Sequence, residues 1–177
     1  HNPDSREQIV SALERIEAAA SREPKRVLVV EDDSGVRRGI VELIAGDDVT
    51  VQEVETGAAA VESLREGRFD CMILDLGLQD IDGQELLRRI ARDEGISAPP
   101  VIVYTGRDLD WEQGIDLRAH CDAIIIKDAR SDERLLDEVS LFLHRVVADM
   151  PEGKRQIISS LHDSNALLRG RRALIVD

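Results

Sequence analysis

Aromatic side chains are scarce in this chain, at 2% of its 177 residues. The core must therefore be aliphatic, because the hydrophobic content of 42% is ordinary for a globular protein. No apolar run approaches the roughly 18 residues of a membrane-spanning helix, so we expect no membrane contact. No charged start followed by an apolar stretch opens the sequence, so we expect no signal peptide and a cytoplasmic location.

Positive charge and cysteine are also in short supply. Lys and Arg number 23 against 36 Asp and Glu, which gives a net charge of -13. Such an acidic surface repels nucleic-acid phosphates, so we expect no nucleic-acid partner. It suits basic proteins or metal cations instead. Cys71 and Cys121 lie beside apolar runs and are expected to be buried, reduced thiols.

Strand-like and helical segments alternate along most of the chain. The strand-like segments are residues 26–30, 49–54, 71–74, 101–104 and 123–126. The helical segments are residues 34–45, 58–64, 84–92, 109–119 and 131–150. Ser34 and Ser131 are expected N-caps, and Asp33 is expected to be a capping or solvated residue. Strands that are apolar on both sides indicate a parallel sheet covered by helices on both faces. We predict an α/β fold, a flavodoxin-like (βα)5 three-layer sandwich with strand order 2-1-3-4-5 and the polar-alternating second strand at the edge.

Further segments flank this unit, which we assign to residues 25–148. Residues 1–24 are predicted to form an N-terminal linker helix, and residues 149–170 a second one. The last segment, 171–177 (RRALIVD), repeats the pattern of the first strand, KRVLVVED. We therefore expect it to be the truncated first strand of a following, similar domain.

Chemically distinctive residues follow four of the five predicted strands. Glu31 and Asp32 follow the first strand, Asp75 the third, Thr105 the fourth and Lys127 the fifth. Ligands of open α/β sheets bind beyond the carboxyl ends of the strands, so we expect these side chains to converge. Clustered carboxylates suit a cation such as Mg²⁺, and one carboxylate could attack phosphorus to form an acyl phosphate. The metal and the lysine would then neutralise the phosphoryl oxygens.

Four segments carry a family resemblance: VLVVEDD, ILDLGLQDIDG, VIVYTG and AIIIKD. Through them, residues 26–147 resemble the response-regulator receiver domain of two-component signalling. The resemblance implies that Asp75 accepts a phosphoryl group from a phosphohistidine and that Thr105 and Lys127 contact that group. It also implies a site for Mg²⁺ (or Mn²⁺) whose ligands are Glu31, Asp32, Asp75 and the backbone carbonyl of Gly77.

The implied partners are a histidine kinase or a histidine phosphotransfer domain. With the repeated strand pattern at residues 171–177, the resemblance points to one of several receivers in a hybrid sensor histidine kinase, whose other domains would also be partners. A homodimer is left open. Such a domain catalyses only its own phosphorylation and dephosphorylation, so the enzyme status of the chain is left open too.

Several positions depart from the family pattern, although Gly83 keeps its place. Glu31 stands for an aspartate, Gln79 for a proline, Ile124 for the aromatic switch residue and Asp128 for the proline after the lysine. We expect Asp128 to add negative charge near the pocket and Tyr104 to pack against a helix. These departures leave open a degenerate receiver that acts as a phosphorylation-independent protein-interaction module.

Other functional classes fit the sequence less well. Phosphatases that form an aspartyl phosphate carry a second Asp two residues after the nucleophile, where this chain has Gly77. No G-x-G-x-x-G motif follows the first strand, which argues against a dinucleotide site. Trp111 begins a weak helix on the usual partner-binding face of the fold and is expected to serve in packing.

Overall fold

The computed structural model describes residues 23–143 and the isolated positions Ile9 and Ala12. Within residues 23–143, five strands alternate with five helices. The strands are β1 (Lys25–Val30), β2 (Val49–Val54), β3 (Cys71–Leu74), β4 (Val101–Thr105) and β5 (Ala123–Ile126). The helices are α1 (Ser34–Ile44), α2 (Gly57–Glu66), α3 (Gly83–Arg92), α4 (Trp111–Arg118) and α5 (Ser131–Phe142).

The sheet is parallel, with the order β2-β1-β3-β4-β5. This confirms the predicted order and the edge position of the second strand. Val30 at the end of β1 pairs with Leu74 at the end of β3, and the amide of Asp75 donates to the Val30 carbonyl at 3.0 Å. Glu31 and Asp75 therefore leave the sheet side by side.

Two layers of helices cover the sheet, because alternate residues of each strand face opposite sides. Helices α1 and α5 cover one face through a buried cluster that includes Val27, Val29, Ile40, Ile44, Ile73, Ile102, Leu135 and Val139. The other face packs on α2, α3 and α4 through a cluster that includes Leu28, Val30, Leu64, Met72, Leu74, Leu86, Val103 and Leu117. The predicted three-layer sandwich with an aliphatic core is confirmed.

The N-caps predicted at Ser34 and Ser131 were each wrong by one residue, whereas the capping role expected for Asp33 is confirmed. Asp33, rather than Ser34, caps α1, because its short carboxylate accepts from the amide of Val36 at 2.8 Å. Helix α5 has Arg130 at its N-cap position without a side-chain cap bond, and Ser131 is already helical. The Ser131 hydroxyl instead donates to the carbonyl of Asp128 at 2.9 Å.

The two cysteines differ in burial, and neither forms a disulfide. Cys71 is buried in the sheet, and burial raises the pKa of its thiol to about 12. Cys121 is only partly buried, contrary to expectation, because it lies next to the start of β5. No helix in the described part of the chain is long and apolar enough to cross a membrane.

The predicted linker helices fall almost entirely outside the described residues. Only Ile9, Ala12, Glu23 and Pro24 of the first one are described. The second linker helix, the truncated strand at 171–177 and the continuation of the last core helix to residue 150 also lie outside them.

Candidate functional site

Three carboxylates meet at the carboxyl ends of β1 and β3. Glu31 and Asp75 are buried, and Asp32 is half-buried beside them. One oxygen of each lies within 4.8 Å of an oxygen of the other two. The convergence follows from the sheet order, which places β1 and β3 next to each other.

Lys127 reaches the same cluster from the end of β5. Its Nζ lies 2.8 Å from Glu31 Oε2 and 3.1 Å from Asp75 Oδ1. Burial alone would lower the pKa of Lys127, but the bonds to Glu31 and Asp75 outweigh it and raise the pKa. The ammonium group is therefore charged at neutral pH and joins two carboxylates that would otherwise repel each other.

The pKa of Glu31 stays above its ordinary value despite this lysine. Burial raises the pKa of Glu31, against the opposing effect of the hydrogen bonds from Lys127 and the Asp33 amide. Within the described cluster, three carboxylates share one ammonium group. Hard carboxylate oxygens grouped in this way are the donors that a divalent cation prefers, so the residues present fit such an ion.

Backbone groups orient Asp75 within the cluster. The amide of Gly77 donates to Asp75 Oδ2 at 2.7 Å, while Oδ1 takes the bond from Lys127. The nearby Gly83 begins α3 against the backbone of Leu76, and a Cβ at this glycine would lie 2.7 Å from the Leu76 Cα. Glycine at position 83 thus allows α3 to pack directly on the segment that follows Asp75.

Thr105 lies at the end of β4 and is fully buried. Its Oγ1 accepts from the amide of Arg107 at 3.2 Å, which leaves the hydroxyl proton free to be donated elsewhere. The Thr105 carbonyl accepts from the amide of Lys127 at 2.8 Å. This bond ties the threonine and the lysine to the same edge of the sheet.

Local contacts surround two of the positions that depart from the family pattern, Gln79 and Asp128. Near Gln79, the carboxylate of Asp80 accepts from the amides of Gly57 and Ala58 at the start of α2, both at 3.0 Å. This contact holds the loop that follows Asp75. The carboxylate of Asp128, expected to add negative charge near the site, pairs with Arg134 of α5 at 2.7 Å.

Tyr104 packs against a helix, as predicted. Its hydroxyl contacts Ser131 Oγ at 3.0 Å and donates to Asp132 Oδ1 at 2.7 Å, both on α5. The Nζ of Lys127 lies 5.3 Å from the centre of the tyrosine ring. Ile124, at the position of the family's aromatic switch, packs partly buried against the core on the other face of the sheet.

Two arginines near the site were missed at the level of sequence. The Nη1 of Arg107 donates to the Leu76 carbonyl at 3.3 Å and to Asp82 at 2.7 Å, which links two loops around the cluster. Arg37 donates to the carbonyl of Glu31 at 2.7 Å. The helical spacing of the sequence could have identified Arg37, since it lies on the buried side of α1 together with Ile40 and Ile44.

Comparison with known proteins identifies this arrangement. The family model described as the response regulator receiver domain matches residues 27–140. The chain belongs to this family. As a receiver domain, it is a phosphoacceptor module of two-component signalling, of the kind that binds divalent metal and interacts with histidine kinases or phosphotransfer proteins.

The relatives that this receiver domain matches include proteins named as transcriptional regulators. It is 29% identical over 134 residues to the transcriptional regulatory protein AfsQ1 of Streptomyces coelicolor, covering 76% of this chain and 55% of the relative. It is 36% identical over 101 residues to the KDP operon transcriptional regulatory protein KdpE of Escherichia coli, covering 57% and 44%. The chain thus spans about half the length of these relatives.

Solved structures share the fold of the receiver domain. The phosphorylated cyanobacterial phytochrome response regulator RcpA is 26% identical, with a TM-score of 0.59 over 69% of this chain and 95% of that one. The Mn²⁺-bound form of response regulator Rcp1 is 24% identical, with a TM-score of 0.61 over 70% and 97%. Together with the strand order, these likenesses confirm the predicted fold.

Proposed function

We propose that this receiver domain takes a phosphoryl group from a phosphohistidine onto Asp75 in a Mg²⁺-dependent phosphorelay. The observation that carries the proposal is the position of Asp75, whose Oδ1 lies 3.1 Å from Lys127 Nζ inside the carboxylate cluster. A buried carboxylate beside a lysine and further acidic groups is equipped to accept a phosphoryl group rather than to serve as a turn residue.

The residues divide the chemistry between them. A carboxylate oxygen of Asp75 attacks phosphorus, the P–N bond to the donor histidine breaks, and the imidazole nitrogen keeps the electron pair and takes a proton from solvent. Lys127 exchanges a carboxylate contact for the incoming phosphoryl oxygens, whose charge its ammonium offsets. Thr105 then donates its hydroxyl proton to one of these oxygens. The phosphorylated state of RcpA, a relative of the same fold, supports this assignment.

Glu31, Asp32 and Asp75 would hold the Mg²⁺ or Mn²⁺ ion, with the Gly77 carbonyl as a further ligand. Their grouped oxygens support this role. When bound, the ion would offset the negative charge of the phosphoryl oxygens during transfer. A receiver of the same fold, Rcp1, has been solved in a Mn²⁺-bound form.

Labelling with acetyl phosphate tests the proposal directly. Wild type should gain the mass of one phosphoryl group in Mg²⁺. It should gain no label when EDTA is present throughout the reaction. Asp75→Asn should not be labelled, because an amide is a poor nucleophile. Asp70→Asn, an exposed change at the opposite end of β3, is the matched control and should label like wild type. Unlabelled but folded wild type would contradict the proposal.

We further propose a cytoplasmic parent of the hybrid histidine kinase class, in which this receiver exchanges phosphoryl groups with neighbouring domains. The repeat of the β1 pattern at residues 171–177 supports receivers in tandem. The names of AfsQ1 and KdpE favour the other arrangement, a receiver joined to a transcriptional output. Phosphotransfer from a purified hybrid kinase core, faster than from unrelated kinases, would support the first arrangement.

A second candidate function is a phosphorylation-independent interaction module. The observation that favours it is Ile124, an aliphatic residue that cannot make the hydrogen bonds of an aromatic switch residue such as tyrosine. In that case Asp75→Asn should leave the affinity for a partner domain unchanged. A change in that affinity on phosphorylation of wild type would exclude this candidate.

A further inference from the structure

Arg37 is a buried charge directly behind the acidic cluster. Only 9% of this residue is exposed. Its Nη1 donates to the carbonyl of Glu31 at 2.7 Å and to the carbonyl of Asp32 at 3.3 Å. One guanidinium nitrogen therefore holds the backbone of two neighbouring residues whose side chains belong to the carboxylate cluster.

The other nitrogens of Arg37 are held by the edge strand and the residue after it. Nε lies 3.3 Å from Glu53 Oε2, and Nη2 donates to Glu55 Oε1 at 2.8 Å. These two carboxylates fix the guanidinium plane in place. A lysine could not reproduce the arrangement, because its ammonium is a point charge without the planar fork of an arginine.

The location explains why such a clamp is needed. The pairing of β1 with β2 ends at Val30 and Val54, and the Glu31 amide makes the last bond to the Val54 carbonyl at 3.1 Å. Beyond this point the chain leaves the sheet, and Arg37 supplies the donors for the next two carbonyls. The direction in which Glu31 and Asp32 project depends on this stretch of backbone.

We propose that Arg37 is a positioning residue for the divalent cation, acting through the carbonyls of Glu31 and Asp32 without touching the ion. The inference rests on the proposed function of the carboxylate cluster. Charge and positioning have opposite consequences here. A positive charge close to the site opposes a bound cation, so removing the charge alone would tighten binding. Removing the clamp weakens binding.

The test is Mn²⁺ affinity, read from the free-ion signal in electron paramagnetic resonance. Arg37→Lys keeps the charge and loses the fork, while Arg37→Met loses both. Arg37→Lys is expected to weaken Mn²⁺ binding by about tenfold, the lower end of the effects seen for groups that orient metal ligands. Arg37→Met should weaken it less, because the lost charge partly offsets the lost clamp. Arg38→Met removes an exposed charge from the next position of α1 and should bind like wild type or slightly tighter.

A milder variant keeps the inference testable if the buried changes disturb folding. Glu55→Gln alters an exposed partner of Arg37 and should weaken Mn²⁺ binding less than Arg37→Lys does. Circular dichroism checks that each variant is folded. The positioning role alone would be overturned if folded Arg37→Lys bound Mn²⁺ as tightly as wild type or more tightly. If Arg37→Lys is unfolded, the same result for Glu55→Gln would overturn it. A wild type that binds no Mn²⁺ would overturn the proposed metal site together with it.

Discussion

The helices α1 and α5 on one face of the sheet are held differently from α4 on the other face. On the side of β1 and α1, charged groups interlock: Arg37 joins the loop backbone to the edge strand, and Asp33 caps α1. On the side of α4, Leu117 is the one buried residue of this described helix. Trp111 is 79% exposed and Ile115 54% exposed on the same helix.

This difference separates a rigid half, which consists of β1, α1 and α5, from a loosely held half at α4. Charge-assisted hydrogen bonds to buried backbone preorganise the groups that would hold a cation. A helix with few buried apolar contacts opens at low free-energy cost, and such elements are the ones that move or meet partners. The prediction that Trp111 serves in packing within this fold was wrong, because the start of α4 faces solvent.

The largest expected effect tests the carboxylate cluster, where Lys127 meets Glu31 of the rigid half. Lys127→Met should slow phosphorylation by acetyl phosphate by about 10²- to 10³-fold, because the loss of one donor to developing oxygen charge typically costs this much. Rates should be measured by mass spectrometry at saturating Mg²⁺. The control is Lys25→Met, at the opposite end of the sheet, which should keep the wild-type rate. A Lys127 variant as fast as wild type would contradict the assigned role.

The next effect compares the halves directly with two equally buried leucines. Leu135→Ala in α5 should lower the free energy of unfolding by about 3 kcal/mol, the usual cost of such a cavity. Leu117→Ala should cost less globally, because α4 can open locally. Urea unfolding measures the first effect, and hydrogen exchange should show faster exchange confined to α4 in the second variant. Equal losses in the free energy of unfolding for the two variants would contradict the contrast between the halves.

A smaller effect concerns pH and the charge of Glu31. Burial raises the pKa of Glu31 in the folded state. The contribution of this group to the stability of the fold is therefore complete below its unfolded pKa of about 4.3. It is lost as pH rises through the pKa of the folded state. Without metal, Glu31→Gln should therefore gain stability relative to wild type as pH rises toward neutrality.

Urea unfolding in EDTA across this pH range measures the difference between Glu31→Gln and wild type. Saturating Mg²⁺ should reverse it, because the ion stabilises the wild type more. A difference that does not change with pH would show that burial of the Glu31 carboxylate does not limit stability.

The smallest effect belongs to the loose half. Trp111→Ala should change the free energy of unfolding by less than about 0.5 kcal/mol, because the side chain is exposed. The tryptophan fluorescence of the folded wild type should already lie near that of the unfolded chain. A clearly blue-shifted emission, or a large loss of stability, would mean that a part of the chain covers the Trp111 side chain.

Much of the site could be predicted because strand ends are legible in sequence. Apolar runs such as CMIL end sharply at Asp75, and the parallel order brings this end next to that of β1. Cap positions were harder, since Asp33 and Ser34 are both good capping residues and geometry alone decides between them. The pairing of Asp128 with Arg134, one turn into α5, could not be read from the sequence.

The sequence by itself determined the layers, the strand order and the set of reactive side chains, because hydrophobic periodicity and strand-end chemistry are local properties. Only the tertiary structure decided which groups share charge. Lys127 meets Glu31 across 96 residues of chain, and Arg37 meets Glu55 across 18. Such contacts depend on side-chain reach and burial, which no spacing of residue types along the chain encodes.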